Sequence, residues 1–314
     1  MAILRLVPDS PSPPSLSPAA QKAILAWYAD HGRRLAFRET ADPYAILVSE
    51  AMAQQTQAAR AADHWMRFLR SFPTVVELAA ASPADVQRAW RGLGYNRRAL
   101  ALWRAARVIV AEHGGRIPDT VEQLERLPGV GPYTARAVAA IAFGRPVGAV
   151  DVNIRRVIGR TVAGGAEALP AGALQAVANA SMPPGRAREW TYALMDVGAT
   201  VCRPRAPRCD ECPVRPWCRY TLETGAGTDA GAAEARTPRR SPPFPSTNRW
   251  LRGRILDRLR QVPDDRWVVL DEPIGMHDRD RVLAAARALS AEGLIEVAPL
   301  PADDDALRAR LATA

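Results

Sequence analysis

Apolar residues recur at intervals of three and four positions along most of the chain between Ala19 and Tyr220. This spacing gives each successive segment one apolar helix face, whereas the strict alternation typical of strands is nearly absent here. Gly, Pro, Ser and Asp separate the periodic segments, at positions where helices begin and end. The pattern predicts an all-α domain over residues 19–222.

Stretches rich in Pro, Ser, Gly and Ala flank this domain and are typical of segments that do not pack. Residues 1–18 are predicted to form a disordered tail, and residues 223–247 a disordered linker. Residues 248–300 then alternate two amphipathic helical patterns with two short strand-like runs. This order predicts a small winged-helix-like α/β module, followed by a C-terminal tail over residues 301–314.

The string LPGVGPYTAR, which begins at Leu127, places two glycines one residue apart between two helical segments. Glycine can adopt the backbone conformations of a tight turn, and Pro132 suits the first turn of the next helix. The N–H groups at such a helix start form an anion site. An ordinary turn between helices could also contain G-x-G, but the whole string resembles the helix-hairpin-helix that binds a DNA phosphate. The DNA-contacting residues that this implies are Gly129, Val130, Gly131 and Thr134.

All four cysteines fall within 17 residues, with the spacing C-x6-C-x2-C-x5-C. The N-terminal sequence lacks the basic start and long apolar run of a secretory signal, so we expect a cytoplasmic, nucleoid-associated protein, in which disulfides are rare. Four thiolates this close suit either zinc or an iron–sulfur cluster, and the uneven spacing favours a [4Fe–4S] cluster. The predicted metal ligands are Cys202, Cys209, Cys212 and Cys218.

The formal net charge is +9, and Lys22 is the only lysine among 42 Lys and Arg residues. A GC-rich genome would produce such an arginine bias without a functional cause, so charge alone is a weak indication. The basic excess still favours a polyanionic partner, because arginine matches phosphate oxygens. No apolar run approaches the ~20 residues that a membrane span needs, so no membrane contact is expected.

The hairpin, a Val-Asp pair about 20 residues after it and the four-cysteine loop together resemble the endonuclease III superfamily of DNA glycosylases. The likeness implies a two-lobed helix-hairpin-helix glycosylase fold with a [4Fe–4S] loop at residues 202–218. YAILVSEAMAQQTQAAR, which begins at Tyr44, is similar to the S-E-x-M-x-Q-Q-T helix of the adenine glycosylase (MutY-type) branch. The resemblance implies a monomeric base-excision-repair enzyme that binds mismatched double-stranded DNA and releases adenine opposite 8-oxoguanine or guanine.

Four residues acquire catalytic roles from this resemblance. Glu50 lies among apolar residues, which keep a carboxyl group protonated, so it would protonate the departing adenine and later activate water. Asp151 would stabilise the oxocarbenium-like transition state, although an aspartate before a helical run is also a routine N-cap. Tyr133 and Asn153 match the branch's active-site tyrosine and asparagine and would orient these groups, although each also fits a packing or capping role.

Bifunctional relatives carry a nucleophilic lysine in the hairpin helix, at the position of Tyr133. The resemblance therefore implies a monofunctional enzyme that hydrolyses the glycosidic bond and leaves the strand uncut. GLGYNRRAL at residues 92–100 resembles the branch's minor-groove loop, with Tyr95 as a wedge beside the lesion, although such a tyrosine can equally pack on the surface. The other DNA contacts that the resemblance implies are Gln54, Gln55 and Thr56.

Three features depart from the branch. LAFRET stands in place of L-P-W-R, VDVN stands in place of V-D-G-N, and the roughly 65 residues after the linker are too few for a Nudix-like domain that senses 8-oxoguanine. Two alternatives therefore stay open: a relative that excises thymine or another base from mismatches, and a catalytically silent DNA-binding module. Glu50 with the Q-Q-T string favours adenine, and the retention of all four catalytic residues argues against the silent module.

Overall fold

The computed structural model describes residues 14–166, 168–225, 242–300 and 303–313. Within these ranges, strands occur only beyond residue 267, and the residues before the linker are helical or lie in turns and loops. The helices are α1 (Pro18–His31), α2 (Pro43–Ala53), α3 (Ala58–Ser71), α4 (Val75–Ala80), α5 (Pro83–Ala89), α6 (Arg97–His113), α7 (Val121–Glu125), α8 (Pro132–Phe143), α9 (Val152–Ala163), α10 (Ala171–Ala180), α11 (Ala187–Asp196), α12 (Arg219–Thr224), α13 (Asn248–Leu259) and α14 (Arg279–Ala291). The strands are β1 (Val268–Val269), β2 (Ile295–Leu300) and β3 (Asp303–Leu311).

The described residues pack as two compact units. The first unit contains the described residues of Met1–Arg34 and Ala135–Ala235, and the second unit contains those of Leu35–Thr134 and Arg236–Ala314. The helical architecture predicted for residues 19–222 is confirmed in both units. None of the helices in the described ranges is long and apolar enough to cross a bilayer.

The core of the first unit lies between α1, α9, α10 and α11, around the buried Trp190. The hydroxyl of Ser17 caps α1 by accepting a hydrogen bond from the Ala20 N–H at 3.3 Å. Leu16 is buried in this core, and its N–H donates to Ser181 Oγ at 2.9 Å. The predicted tail is therefore wrong for residues 14–18, because an apolar side chain and a helix cap tie them to the fold. Residues 1–13 lie outside the described ranges.

The segment beyond the linker packs on α5 and α6 within the second unit. Ala84 of α5 and Leu100 of α6 share one apolar core with α13, α14 and the sheet. The buried Gln87 donates a hydrogen bond to the Leu294 carbonyl at 2.9 Å. The predicted boundary of the module at 248–300 is therefore corrected, because residues of α5 and α6 belong to the same apolar core. Of the predicted linker, residues 226–241 lie outside the described ranges.

The C-terminal residues form a strand where a tail was predicted. β3 is the central strand of a three-stranded antiparallel sheet with the order β1-β3-β2. Leu307, Ala309 and Leu311 are buried, and arginines alternate with them. This period of two is the signature of a half-buried strand, but β3 begins with three aspartates, whose charge favours a solvated tail. The predicted order of helix, strand, helix and strand is present, and the winged-helix-like classification stays a prediction.

Candidate active site and cysteine loop

Glu50 lies in the interior of α2. Asp42 is the N-cap of this helix, and its carboxylate accepts hydrogen bonds from the N–H groups of Tyr44 and Ala45 at 3.1 and 3.3 Å. Glu50 is 7% exposed, and the preceding turn of the helix is buried at Leu47. Burial disfavours the charged form of a carboxyl group unless nearby charges or hydrogen bonds compensate. The buried setting predicted for Glu50 is confirmed, and its role stays a prediction.

The turn after α2 presents the three predicted contact residues Gln54, Gln55 and Thr56. Gln55 is exposed and has a φ of +54°, a conformation that is uncommon for a residue other than glycine. The Gln54 side chain donates a hydrogen bond to Thr134 Oγ1 at 3.2 Å. Two predicted DNA contacts from separate motifs, Gln54 and Thr134, therefore lie together in the second unit.

The predicted wedge, Tyr95, lies in a turn that spans residues 92–96. Gly92 and Gly94 have φ values of +94° and +71°, and Tyr95 itself has a φ of +48°. Its side chain is 39% exposed, and the guanidinium carbons of Arg249 and Arg98 lie 4.2 and 5.4 Å from the ring centre. Positive φ in a non-glycine residue costs about 1–3 kcal/mol and persists only when the surroundings impose it. The 92–96 turn thus holds an exposed tyrosine in one defined position.

Arg98, which sequence reasoning missed, joins these two turns. Its guanidinium group donates to the carbonyl oxygens of Ala51 and Met52 at 3.0 and 3.1 Å, and to that of Gln54. It also donates to the Gly94 carbonyl at 3.2 Å. Burial lowers the pKa of Arg98 to about 10, so the group stays charged at neutral pH. The preceding residue is also an arginine, and no local pattern in the sequence shows which of the two turns inward.

The hairpin connects α7 to α8, which begins with a proline as predicted. Leu127 and Val130 are buried, and the Val130 N–H donates to the Leu127 carbonyl at 3.1 Å. Gly129 has a φ of +77°, and a Cβ atom there would lie 2.5 Å from the Cβ of Ala101. A Cβ atom at Gly131 would meet no atom within 4 Å in the described structure. The first glycine is therefore required by the fold, whereas the second leaves open space at the helix start.

We expect Gly129→Ala to lower the free energy of unfolding by at least about 2 kcal/mol, because it combines a positive φ with overlap against Ala101. The matched change Gly131→Ala should alter stability by no more than about 0.5 kcal/mol. Gly131→Ala should instead weaken duplex binding, because the added methyl group would occupy the space that a phosphate needs to reach the N–H groups at the start of α8. Urea unfolding and fluorescence anisotropy with a labelled duplex measure the two effects. Equal losses of stability in both variants would contradict the distinction between Gly129, which the fold requires, and Gly131, which leaves space for a phosphate.

Asp151 is the N-cap of α9, in the first unit. Its Oδ1 atom accepts hydrogen bonds from the backbone N–H groups of Asn153 and Ile154 at 2.9 and 2.7 Å. Its Oδ2 atom accepts from Asn153 Nδ2 at 2.8 Å. The capping interpretation is confirmed, and the same three donors fix the carboxylate in one orientation. Two predicted catalytic residues, Asp151 and Asn153, are therefore in direct contact.

Arg156 of α9 connects this cap to the cysteine loop, and sequence reasoning missed it as well. The residue is 8% exposed, and its guanidinium group donates to Asn153 Oδ1 at 2.8 Å. It also donates to the carbonyl oxygens of Gly198 and Cys202 at 2.6 and 2.5 Å. Burial lowers the pKa of Arg156. Asp151, Asn153 and the first cysteine of the loop thus belong to one hydrogen-bonded network.

The four cysteines are not joined by disulfides and line one small cavity of about 20 Å³. Arg160 donates a hydrogen bond to Cys202 Sγ at 3.5 Å. Burial raises the pKa of the Cys212 thiol to about 12, and the charges of the three other cysteines add to the increase. In the part of the chain that the structure describes, no group of three or more His, Cys, Asp or Glu side chains is arranged to hold a single metal ion. The structure therefore brings the four predicted ligands to one cavity without showing a metal site.

Comparison with known proteins places these motifs in a family. A model of the HhH-GPD superfamily base excision DNA repair proteins matches residues 48–171. The adenine DNA glycosylase of Mycobacterium tuberculosis (strain CDC 1551 / Oshkosh) is 45% identical over 244 residues, which cover 76% of this chain and 77% of that protein. The adenine DNA glycosylase of Mycolicibacterium smegmatis (strain ATCC 700084 / mc(2)155) is 42% identical over 292 residues, which cover 90% and 93%. Among solved structures, a thermostable thymine-DNA glycosylase matches with a TM-score of 0.61 and 32% identity, covering 65% of this chain and 95% of that one.

The matched region contains Glu50, the 92–96 turn, the hairpin and Asp151. The chain thus belongs to the HhH-GPD superfamily of base excision DNA repair proteins. Within that superfamily it is a member of the adenine DNA glycosylase family, because two proteins of that name match it at 42% identity or more over most of their length. The superfamily and the adenine glycosylase branch expected from the sequence are both confirmed.

Proposed function

We propose that this protein hydrolyses the N-glycosidic bond of adenine mispaired with 8-oxoguanine or guanine in duplex DNA, and that it leaves the strand uncut. The observation that carries the proposal is the buried Glu50 of α2, within the string S-E-A-M-A-Q-Q-T, in a member of the adenine DNA glycosylase family. A buried carboxyl group can hold a proton near neutral pH and deliver it to a leaving group.

In the proposed reaction, the protonated carboxyl group of Glu50 donates its proton to a ring nitrogen of adenine while the bond between C1′ and the base breaks. The base then leaves as neutral adenine, and positive charge develops at C1′ of the sugar. The Asp151 carboxylate, oriented by its three N–H donors, stabilises this charge. Water adds to C1′ and gives a proton to the Glu50 carboxylate, which restores the acid.

Duplex recognition in this proposal uses three segments of the second unit. The open space at Gly131 admits a phosphate to the N–H groups at the start of α8. Tyr95 enters the minor groove beside the extruded nucleotide, and the unstacking this requires costs a few kcal/mol. Gln54 reaches the bases from the end of α2. The contacts that hold Tyr95 in the 92–96 turn support this role, because a wedge must keep its position against the stacked bases.

The cofactor in this proposal is a [4Fe–4S] cluster held by Cys202, Cys209, Cys212 and Cys218. The donor set fits the cluster, because four thiols line one cavity and four neighbouring thiolates need positive charge to offset their repulsion. When bound, the cluster supplies a rigid cross-link for the 202–218 loop. Arg160 and Arg156 tie that loop to α9 and hence to Asp151.

The substitution Cys212→Ser should lower both the iron content of the protein and its affinity for duplex DNA. We expect the parent protein to be brown and to contain about four iron atoms per chain, and the variant to lose most of that iron. The variant should also bind duplex more weakly, because Arg203, Arg205 and Arg208, between the first two cysteines, would lose their fixed position. Iron analysis and visible absorption test the first expectation, and fluorescence anisotropy tests the second. One zinc and no iron in the parent would contradict the cluster. Unchanged duplex affinity in the iron-free variant would exclude the loop from the DNA interface.

A panel of duplexes tests the proposed function directly. Each duplex carries one pair, A opposite 8-oxoguanine, A opposite G, A opposite T, T opposite G or U opposite G, and released base is measured under single-turnover conditions. We expect release from the first two duplexes only. A thymine-specific activity is the second candidate, since the matched structure with 32% identity is a thymine-DNA glycosylase. Preferential release from T opposite G would establish that candidate, and no release from any duplex would overturn both.

A further inference from the structure

A groove of about 630 Å³ lies between the 92–96 turn and α13 in the second unit. Its lining contains six arginines and only two acidic residues, Asp257 and Glu292, so the groove is strongly positive. Phe244, which is 57% exposed, also lines it. We call this feature the arginine groove. Its arginines are Arg60, Arg97, Arg249, Arg252, Arg254 and Arg260.

Two of these arginines have structural roles. The Arg260 side chain is 5% exposed and donates to Asn96 Oδ1 at 2.6 Å, so it anchors α13 to the 92–96 turn. Arg252 donates to Glu292 Oε2 at 2.6 Å and is 20% exposed. These contacts fix the walls of the arginine groove, because they join α13 to its neighbours.

Arg60 also donates a hydrogen bond to the Gly92 carbonyl of the turn. The other three arginines, Arg97, Arg249 and Arg254, are available to a ligand. The side chains of Arg97 and Arg254 are 75% and 52% exposed, and each lies beside one carboxylate, at 3.6 Å from Glu292 and 2.5 Å from Asp257. Ion pairs at such exposure contribute only about 0–1 kcal/mol, so a phosphate can compete for these guanidinium groups. Arg249 is exposed and donates to the Tyr95 hydroxyl at 3.0 Å. The exposed arginines therefore surround the residue that the proposed function places in the minor groove.

We propose that the arginine groove binds the sugar–phosphate backbone of duplex DNA beside the point where Tyr95 enters the minor groove. Guanidinium groups form paired hydrogen bonds with phosphate oxygens, and a row of them on one wall fits a polyanion with regularly spaced charges. The segment beyond the linker would thus extend the DNA-binding surface. This inference rests on the proposed function, because that function supplies the duplex and the place of Tyr95.

The test compares two double variants that each remove two exposed arginine charges from the second unit. Arg97→Gln with Arg254→Gln changes the arginine groove. Arg258→Gln with Arg287→Gln is the matched control, because both side chains are exposed and neither lines the groove. The dissociation constant for an undamaged duplex is measured by anisotropy across a salt series, after circular dichroism confirms equal melting temperatures.

We expect the groove variant to bind the duplex about tenfold more weakly, with a salt slope of log K lower in magnitude by about 1.8, since each lost phosphate contact removes about 0.9. The control variant should match the parent within about twofold in affinity and within about 0.5 in slope. Equal affinities and equal salt slopes in the two variants would overturn the proposal. The arginine groove would then be assigned to another acidic partner. Binding to undamaged duplex does not require base release, so failure of the proposed function would show separately, as absence of excision across the mismatch panel.

Discussion

Glu50→Gln should reduce the single-turnover rate of adenine release by about 10³-fold or more while duplex affinity stays within about threefold of the parent. A positioned general acid contributes roughly 10²–10⁴-fold, and the same carboxylate is also required to accept a proton from water. Glutamine has nearly the shape of a protonated glutamic acid, so the buried site on α2 should accept it without repacking. Base release from a duplex with A opposite 8-oxoguanine, with enzyme in excess, measures the effect.

Glu122→Gln provides the control for this result. Glu122 is exposed on α7 in the same unit, so the substitution makes an identical chemical change outside the proposed site. Its release rate should equal that of the parent. If Glu50→Gln released adenine at a near-normal rate, Glu50 would have no part in proton transfer, and another group would have to protonate the base.

The parts of the site that the sequence predicts are those specified by neighbouring residues. The two hairpin glycines, the proline that begins α8 and the Asp151 cap each depend on a backbone geometry that only a few residue types satisfy. Their signals lie within a few positions, and the structure places each element where the sequence predicts it. Asp151 also shows that a capping role and a proposed catalytic role can belong to one carboxylate.

The residues that sequence reasoning missed act across long separations. Arg98 bonds to carbonyl groups of α2 more than 40 residues away, and Arg156 bonds to the Cys202 carbonyl 46 residues away. In a chain with so many arginines, helical periodicity does not show which guanidinium group turns inward and which meets solvent. These contacts follow from how helices pack, and packing is not encoded in any local pattern.

The C-terminal error has a different physical cause. The period-two pattern of β3 is present in the sequence, but three aspartates open the strand, and their charge favours a solvated tail. Ala84 of α5 and Leu100 of α6 lie in the predicted glycosylase domain but share the apolar core of this segment, so the predicted domain boundary falls within one core. The composition of the linker indicates a domain boundary, whereas the segments on its two sides pack together in one core.

The expected product of the reaction is an intact strand with an abasic site, which breaks only after hot alkali. Cleavage by a lyase needs an amine that attacks C1′ and forms a Schiff base. The hairpin position that holds the lysine of bifunctional relatives is Tyr133 here, and Lys22, exposed on α1, is the only lysine in the sequence. The parent protein is incubated with a labelled duplex carrying A opposite 8-oxoguanine, and the strand is resolved with and without alkali.

Alkali-treated samples should show cleavage in step with base release, and untreated samples should show less than about 1% of that cleavage, since hydrolysis leaves the strand bonds untouched. Borohydride added during the reaction should trap no covalent complex. Lys22→Arg removes the last lysine amine and keeps the charge, so it should behave as the parent does. Cleavage without alkali that disappears in Lys22→Arg would identify this lysine as a nucleophile, and cleavage that persists would assign the attack to the N-terminal amine. Either result would replace the proposed hydrolysis with lyase chemistry, because a strand cut in step with base release cannot come from water addition at C1′ alone.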